Sequence, residues 1–309
     1  MKKVVFLSIL VVVFSLVGCS MSPEELYLVT GNGTDLGFID KTGKMKIKPE
    51  YSSATNFSEG LACVQIKHRY GYIKKNGKFK IKPQFQGAYK FSDGLAAVSK
   101  SNAIGFIDKK GKLVIPHRFF SVGDFSEGLA GVRLGRDCGF IDKTGKLVIP
   151  TRFETIGFFS EGLSAMRSGN RWGYIDKEGA FVIEPKFQNA GRFSEGLAQV
   201  QIEGKWGYID KEGNFQIEPQ ISKVYHFTQG LACVEKDGEW GYIDKEGNYI
   251  FEAKFATAFP FEKSLALVTN GIKPAYINKK GEVVFEFPHS SVSNFLKDKA
   301  ASFSAGETR

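Results

Sequence analysis

Three tryptophans, Trp172, Trp206 and Trp240, stand 34 residues apart, and the chain has no others. Indole rings at regular spacing can stack on the apolar faces of sugar rings, which would make the row a site for a polysaccharide. The same rings can instead cover a core, since each buries more apolar area than most side chains. A second row, Glu59, Asp93, Glu127, Glu161 and Glu195, keeps the same period and is acidic. Carboxylates in line could hold cations. Each, however, precedes a glycine in a Ser-Glu/Asp-Gly turn sequence, where a side chain ordinarily satisfies backbone amides.

The remaining chemistry-bearing residues do not assemble into a centre. His68, His117, His226 and His289 share no metal-ligand spacing, and the chain contains neither a Gly-x-Ser-x-Gly elbow nor a Cys-x-x-Cys pair. No catalytic residue, metal or cofactor is therefore expected, and the chain reads as noncatalytic. Cys63 and Cys233 occupy equivalent places five repeats apart, beyond the ~7 Å limit between α-carbons for a disulfide. Cys138 stands where other repeats carry tryptophan. All three read as packed apolar thiols.

The first cysteine is different. Met1-Lys2-Lys3 is basic, Val4 to Val17 is apolar apart from Ser8 and Ser15, and Leu16-Val17-Gly18-Cys19 follows. The run is too short to span a bilayer but suits a signal-peptide core. The segment resembles a bacterial lipobox, which implies removal of residues 1–18 as a lipoprotein signal peptide. Cys19 would then carry diacylglycerol and a palmitate-type acyl chain, with membrane lipid as its partner. Residues 19–24 would form a lipidated tether, and the exported protein would sit on the cell membrane or outer membrane. Ser20, in place of an aspartate, is compatible with outer-membrane sorting.

The elements that position these residues follow from one repeat. Gly-aromatic-Ile-Asp recurs at Gly37, Gly71, Gly105, Gly139, Gly173, Gly207 and Gly241, with Ala275 opening an eighth copy. Phe-Ser-Glu-Gly-Leu-Ala recurs with the same period from Phe57 to Phe261, and Phe295 opens a worn copy. With 35 Gly in the chain, long helices are disfavoured, since an interior glycine costs about 1 kcal/mol relative to alanine. Three short strands per unit are predicted instead: Leu-Ala-x-Val, Trp-Gly-Tyr-Ile-Asp, and x-x-x-Ile as in Lys112 to Ile115. Asp-Lys-x-Gly closes a hairpin between the second and third, with its glycine in the left-handed region. Alternation sends Ile209 to one face and Tyr208 to the other, and phenylalanines such as Phe187 and Phe193 should plug the gap between units.

One such unit cannot bury two apolar faces alone, so neighbours must stack. Eight units fill residues 25–289, and 290–309 reads as a degenerate C-terminal cap or tail. The predicted fold is all-β, an open β-solenoid-like stack of eight units, with an eight-bladed β-propeller as the alternative.

Arg171 to Gly179, Lys205 to Asp210 and Glu239 to Asp244, each built around Trp-Gly-Tyr-Ile-Asp, resemble the WG (Trp-Gly) repeat family of bacterial proteins. That resemblance implies a noncatalytic β repeat protein, often exported. Leu36, Tyr70, Ile104, Cys138 and Pro274 replace the tryptophan elsewhere. The hairpin also resembles the aromatic hairpins of choline-type cell-wall-binding repeats over about a third of each unit, which favours an open stack.

The formal charge is +9, but lysines fall one or two per turn, as in Lys109-Lys110 and Lys279-Lys280, without a cluster. Nucleic acid is not an expected partner. A mildly cationic face would be drawn to anionic headgroups or wall polymers. The expected function is that of a membrane-anchored surface binding another envelope protein, with Arg133, Arg136, Arg167 and Gln199 as unit-specific contacts. The alternative is a glycan-binding module using Trp172, Trp206 and Trp240.

Overall fold

Asn189–Ala190, Ala198–Ile202, Lys205–Ile209 and Phe215–Ile221 form one antiparallel meander, hydrogen-bonded in chain order. Among the described residues eight such sheets follow one another, six of four strands and two, the first and the fifth, of three. The computed structural model describes residues 26–30, 35–40, 44–262, 265–270 and 274–286, and no helix occurs among them. The expected signal segment, Cys19, the tether and the tail 290–309 lie outside the described residues.

The short strand was not expected. It is two residues long, as in Gly87–Ala88 and Lys223–Val224, too short to show any alternation. It lies between the third predicted strand of one unit and the Phe-Ser-Glu-Gly-Leu-Ala segment that follows. Pairing of Asn189 with Gln201 and Ala190 with Val200 holds it to the sheet, and Gln188 and Gly191 extend the ladder through their amides.

Both turns follow from local chemistry. In Asp210-Lys211-Glu212-Gly213, the glycine has φ 86°. The Asp210 carboxylate accepts the amides of Glu212 and Asn214 at 3.1 and 2.8 Å. Ser194 and Leu197 exchange backbone hydrogen bonds around Glu195 and Gly196, whose φ values are 56° and 89°. Two consecutive positive angles define a type I′ turn, which usually takes Asn-Gly rather than Glu-Gly.

The glycine of Trp-Gly serves a different need. A β-carbon on Gly207 would lie 2.5 Å from the Ile217 carbonyl oxygen, because the outer strand crosses the middle strand there. The ladder breaks at the same point: Trp206 pairs with Ile221, then Tyr208 with Ile217. The irregularity accommodates Pro219, which has no amide to give a regular ladder.

Seven hydrophobic clusters join the eight sheets in order. Among the described residues no cluster joins the eighth sheet to the first. Tyr208 and Ile209 are both fully buried, against opposite neighbours. Ile209 packs with Tyr174, Phe187 and Phe193 at the junction with the fifth sheet, and Tyr208 with Phe227 and Val234 at the junction with the seventh. Alternation alone accounts for this division, since successive side chains leave a strand on opposite faces. Each junction carries a tilted or edge-on aromatic pair, with Tyr174–Phe193 centroids 4.9 Å and Tyr208–Phe227 4.8 Å apart. Burying each such ring contributes roughly 1.5–3 kcal/mol, so a sheet draws its stability from the two beside it.

Candidate functional site

The acidic row resolves first. Each carboxylate reaches the next sheet. Glu59 accepts the amide of Gly94 at 3.1 Å, Asp93 that of Gly128 at 2.6 Å, Glu127 that of Gly162 at 3.0 Å and Glu161 that of Gly196 at 2.9 Å. Glu195 accepts the amides of both Gln229 and Gly230. The amides are satisfied as the turn sequence suggested, but they belong to the neighbouring turn rather than to the same one.

A lysine 50 residues ahead closes each carboxylate: Lys109 on Glu59 at 2.9 Å, Lys143 on Asp93 at 3.0 Å and Lys177 on Glu127 at 3.1 Å. Beside each acid, the serine hydroxyl donates to a phenylalanine carbonyl one sheet on, as in Ser58 to Phe91 at 2.6 Å and Ser194 to Phe227 at 2.7 Å. Phe-Ser-Glu-Gly is therefore an inter-sheet clasp. Burial pushes the Asp93 carboxyl up, but the Lys143 ion pair and the Gly128 amide outweigh it and hold the group below the usual carboxylate range. These carboxylates have fixed partners, so the row is structural.

Trp172, Trp206 and Trp240 take one register on three consecutive sheets, opposite Phe187, Ile221 and Phe255. All three are half-buried and pack against the junction clusters. Trp240 packs at a tilt against Tyr225, with centroids 5.5 Å apart. Each ring thus covers the rim of a core and leaves part of its surface to solvent.

Cys63, Cys138 and Cys233 are free and buried, and burial pushes the Cys63 thiol up to about 12. His68, His117 and His226 stand on different sheets, and His289 lies outside the described residues. The His226 ring nitrogen Nε2 is 2.9 Å from the Arg192 guanidinium, one repeat earlier. Burial, and then Arg192, push its pKa down to about 4.

Of the four residues expected to reach a partner, Gln199 does not. It is 1 % exposed, and its amide fills the space that Gly191 leaves by having no β-carbon. Its place at the x of Leu-Ala-x-Val, shared with the buried Cys63 and Cys233, was the signal that assigns it to the interior. Arg136 is exposed. Arg133 donates to the carbonyls of Arg136 and Glu154, and Arg167 to that of Gly169, so both brace the turns beside them.

Those turns form one end of the sheets. Lys67-His68-Arg69, Ser101-Asn102, Gly135-Arg136, Gly169-Asn170, Glu203-Gly204 and Asp237-Gly238 are all exposed and differ from sheet to sheet. The clasp turns at the opposite end repeat almost unchanged. A cavity of about 290 Å³ opens between the sixth and seventh sheets, lined by Lys205, Gln220, Glu235, Asp237 and Tyr249 among others.

Comparison with known proteins agrees with this architecture. Solved structures superpose on the chain, among them the propeller-like BamB. The dihydro-heme d1 dehydrogenase NirN in complex with DHE aligns with TM-score 0.57 and 14% identity, over 87% of this chain and 74% of that one. BamB from Moraxella catarrhalis aligns with TM-score 0.51 and 12% identity, over 83% and 89%. A eukaryotic initiation factor aligns with TM-score 0.51 and 12% identity, over 75% and 74%. At such identities the likeness concerns the fold alone. No curated protein matches the chain. The WG containing repeat matches at residues 37–67, 70–102, 104–136, 139–172, 172–206, 206–240 and 240–271. Each copy starts on the middle strand of one sheet and ends in the next, so the seven copies coincide with the seven junctions. The chain belongs to the WG-repeat family.

Proposed function

We propose that this chain is a lipid-anchored, noncatalytic repeat protein whose array presents a protein-binding surface at a bacterial cell envelope. The observation that carries the reading is the division between the two ends of the sheets. Side chains that recur in every unit are used in the junction cores and the clasps, whereas the exposed turns from Lys67 to Gly238 differ from one another. Repeat arrays achieve specificity in this way, with constant residues building the scaffold and variable ones facing the partner.

The anchor rests on the Cys19 motif. Changing Cys19 to Ser should release the protein from the membrane fraction, and persistence there would overturn the lipid assignment. For the surface, cross-linked pull-downs from envelope extracts should recover a partner with the wild-type chain and lose it with Arg136→Ala combined with Asp237→Ala. Both positions are exposed, so circular dichroism should be unchanged. Equal recovery would show that the variable turns are not the contact.

The half-exposed faces of Trp172, Trp206 and Trp240 support a second reading, a glycan-binding row. Titration with cell-wall polysaccharide should then quench or shift tryptophan emission. An unchanged spectrum at millimolar sugar would remove it.

A further inference from the structure

Along the sequence, lysines are scattered; in three dimensions they are not. The hairpin glycines are followed by Lys44, Lys78, Lys112 and Lys146 in the first four sheets, and by Ala180, Asn214, Asn248 and Glu282 in the last four. Four residues further on, Lys48 and Lys82 of the first two sheets give way to Glu184 and Glu218 of the fifth and sixth. The outer strands, which form the sheet edges, are therefore basic in the first half of the array, whereas in the second Glu184, Glu218, Glu252 and Glu286 outnumber Lys186 and Lys254 and leave the edge near neutral to mildly acidic.

The outer strands of both halves carry apolar side chains in the open, Val182, Ile250 and Val283 among them in the second, but only in the first half does a lysine precede the run. Met45, Phe79, Leu113 and Leu147 each follow one of those lysines, and they are 43%, 38%, 42% and 39% exposed. Lys78, Lys80 and Lys82 are exposed, and the ion pairs and hydrogen bonds of the described residues leave their ammonium groups without an anionic partner. Lysines beside exposed apolar groups form the pattern of an interfacial surface, with stems and rings entering the headgroup layer and ammonium groups meeting phosphates.

We propose that the outer strands of the first four sheets lie against anionic phospholipid headgroups. The placement rests on the anchor proposed above. Leu26, the first residue of the first sheet, stands seven positions after Cys19, and a chain of that length spans at most about 25 Å. An acylated Cys19 would hold the first sheet, which belongs to the basic half, close to the bilayer. Approach would bring the lysines within the ~8 Å over which the surface potential acts. The later outer strands, without that excess of lysine, would gain no such attraction, which favours the orientation that turns the first four edges to the membrane.

The test uses the full-length acylated protein in vesicles of phosphatidylcholine alone or with phosphatidylglycerol. Amine acetylation followed by mass spectrometry reads each lysine. Lys78, Lys80 and Lys82 should label several-fold more slowly on the anionic vesicles, and the protection should vanish near 1 M salt, where the Debye length is ~3 Å. Lys205 and Lys236 should label equally on both. The triple variant Lys78→Glu, Lys80→Glu, Lys82→Glu changes only exposed side chains and should lose the protection of neighbouring Lys44 and Lys112. Equal labelling on the two vesicle types would overturn the proposal. So would protection already present without vesicles, which would assign the edge to the later outer strands of a second copy. Co-flotation with the neutral vesicles reads the anchor separately. If it fails while protection on anionic vesicles persists, the lipid on Cys19 is wrong and the basic edge stands.

Discussion

The Glu195 carboxylate accepts the backbone amide of Gly230, 35 residues later and one sheet on, at 2.8 Å. Glu195 occupies the left-handed region to do so, with φ 56°. For a residue with a β-carbon that conformation costs roughly 1–2 kcal/mol, and a hydrogen bond to a charged group returns about 1.5–3 kcal/mol. The balance per clasp is small. Its consequence is register, because the carboxylate, the serine hydroxyl and the lysine all fit one offset between sheets.

Removing that carboxylate should therefore destabilise the array modestly. Glu195→Ala should lose about 1–3 kcal/mol in urea unfolding, while Glu195→Gly should lose less because it also relieves the left-handed backbone. Equal losses for the two would show that the left-handed backbone at Glu195 carries no strain.

The two kinds of glycine should respond differently to alanine. Gly207→Ala drives a β-carbon to 2.5 Å from the Ile217 carbonyl oxygen, so the strands must separate. That variant should lose more than about 3 kcal/mol or fail to fold. A β-carbon added at Gly196 would meet nothing within 4 Å, and the residue has φ 89°. Gly196→Ala should cost only the backbone term, about 1–2 kcal/mol. Thermal melts of the two proteins would rank them.

His226 should make stability fall on mild acidification. Its pKa in the fold is about 4, below the ordinary 6.5, so between these values the unfolded chain binds the extra proton. Stability is then full above about pH 6.5 and declines as the pH falls toward 4. His226→Gln should flatten the unfolding free energy across that window. A slope unchanged by the substitution would place its origin elsewhere.

Burial of Cys63, Cys138 and Cys233, with the Cys63 thiol pushed up to about 12, predicts slow reaction with thiol reagents. Only the thiolate attacks. All three should react in denaturant, and rapid modification of the native protein would contradict their packing.

Much of this architecture is legible from neighbouring residues. Asp210-Lys211-Glu212-Gly213 marks its hairpin through a left-handed glycine and a carboxylate that reaches amides two and four residues on. Tyr208 and Ile209 declare a two-faced sheet because adjacent side chains on a strand must diverge. The spacing of Phe187 and Phe193 places both in the gap between units, as the junction clusters bear out. Turn angles and alternation are short-range properties, and a 34-residue period multiplies them until they cannot be mistaken.

What the stacking offset decided has no local signature. Glu195 belongs to a turn by sequence, yet its carboxylate serves the next turn. Asn189–Ala190 becomes a strand only because Ala198–Ile202 offers it a ladder. Gln199 is polar, but the space beside Gly191 takes it inward. Lys44, Lys78, Lys112 and Lys146 are isolated along the chain and share the basic half of the array once the sheets stack. The unit, its turns, its two apolar faces and its family can all be read from the order of residues. The tertiary structure alone decided which side chains of different units meet, because that depends on how one sheet is displaced against the next, and no interaction within a single unit specifies that displacement.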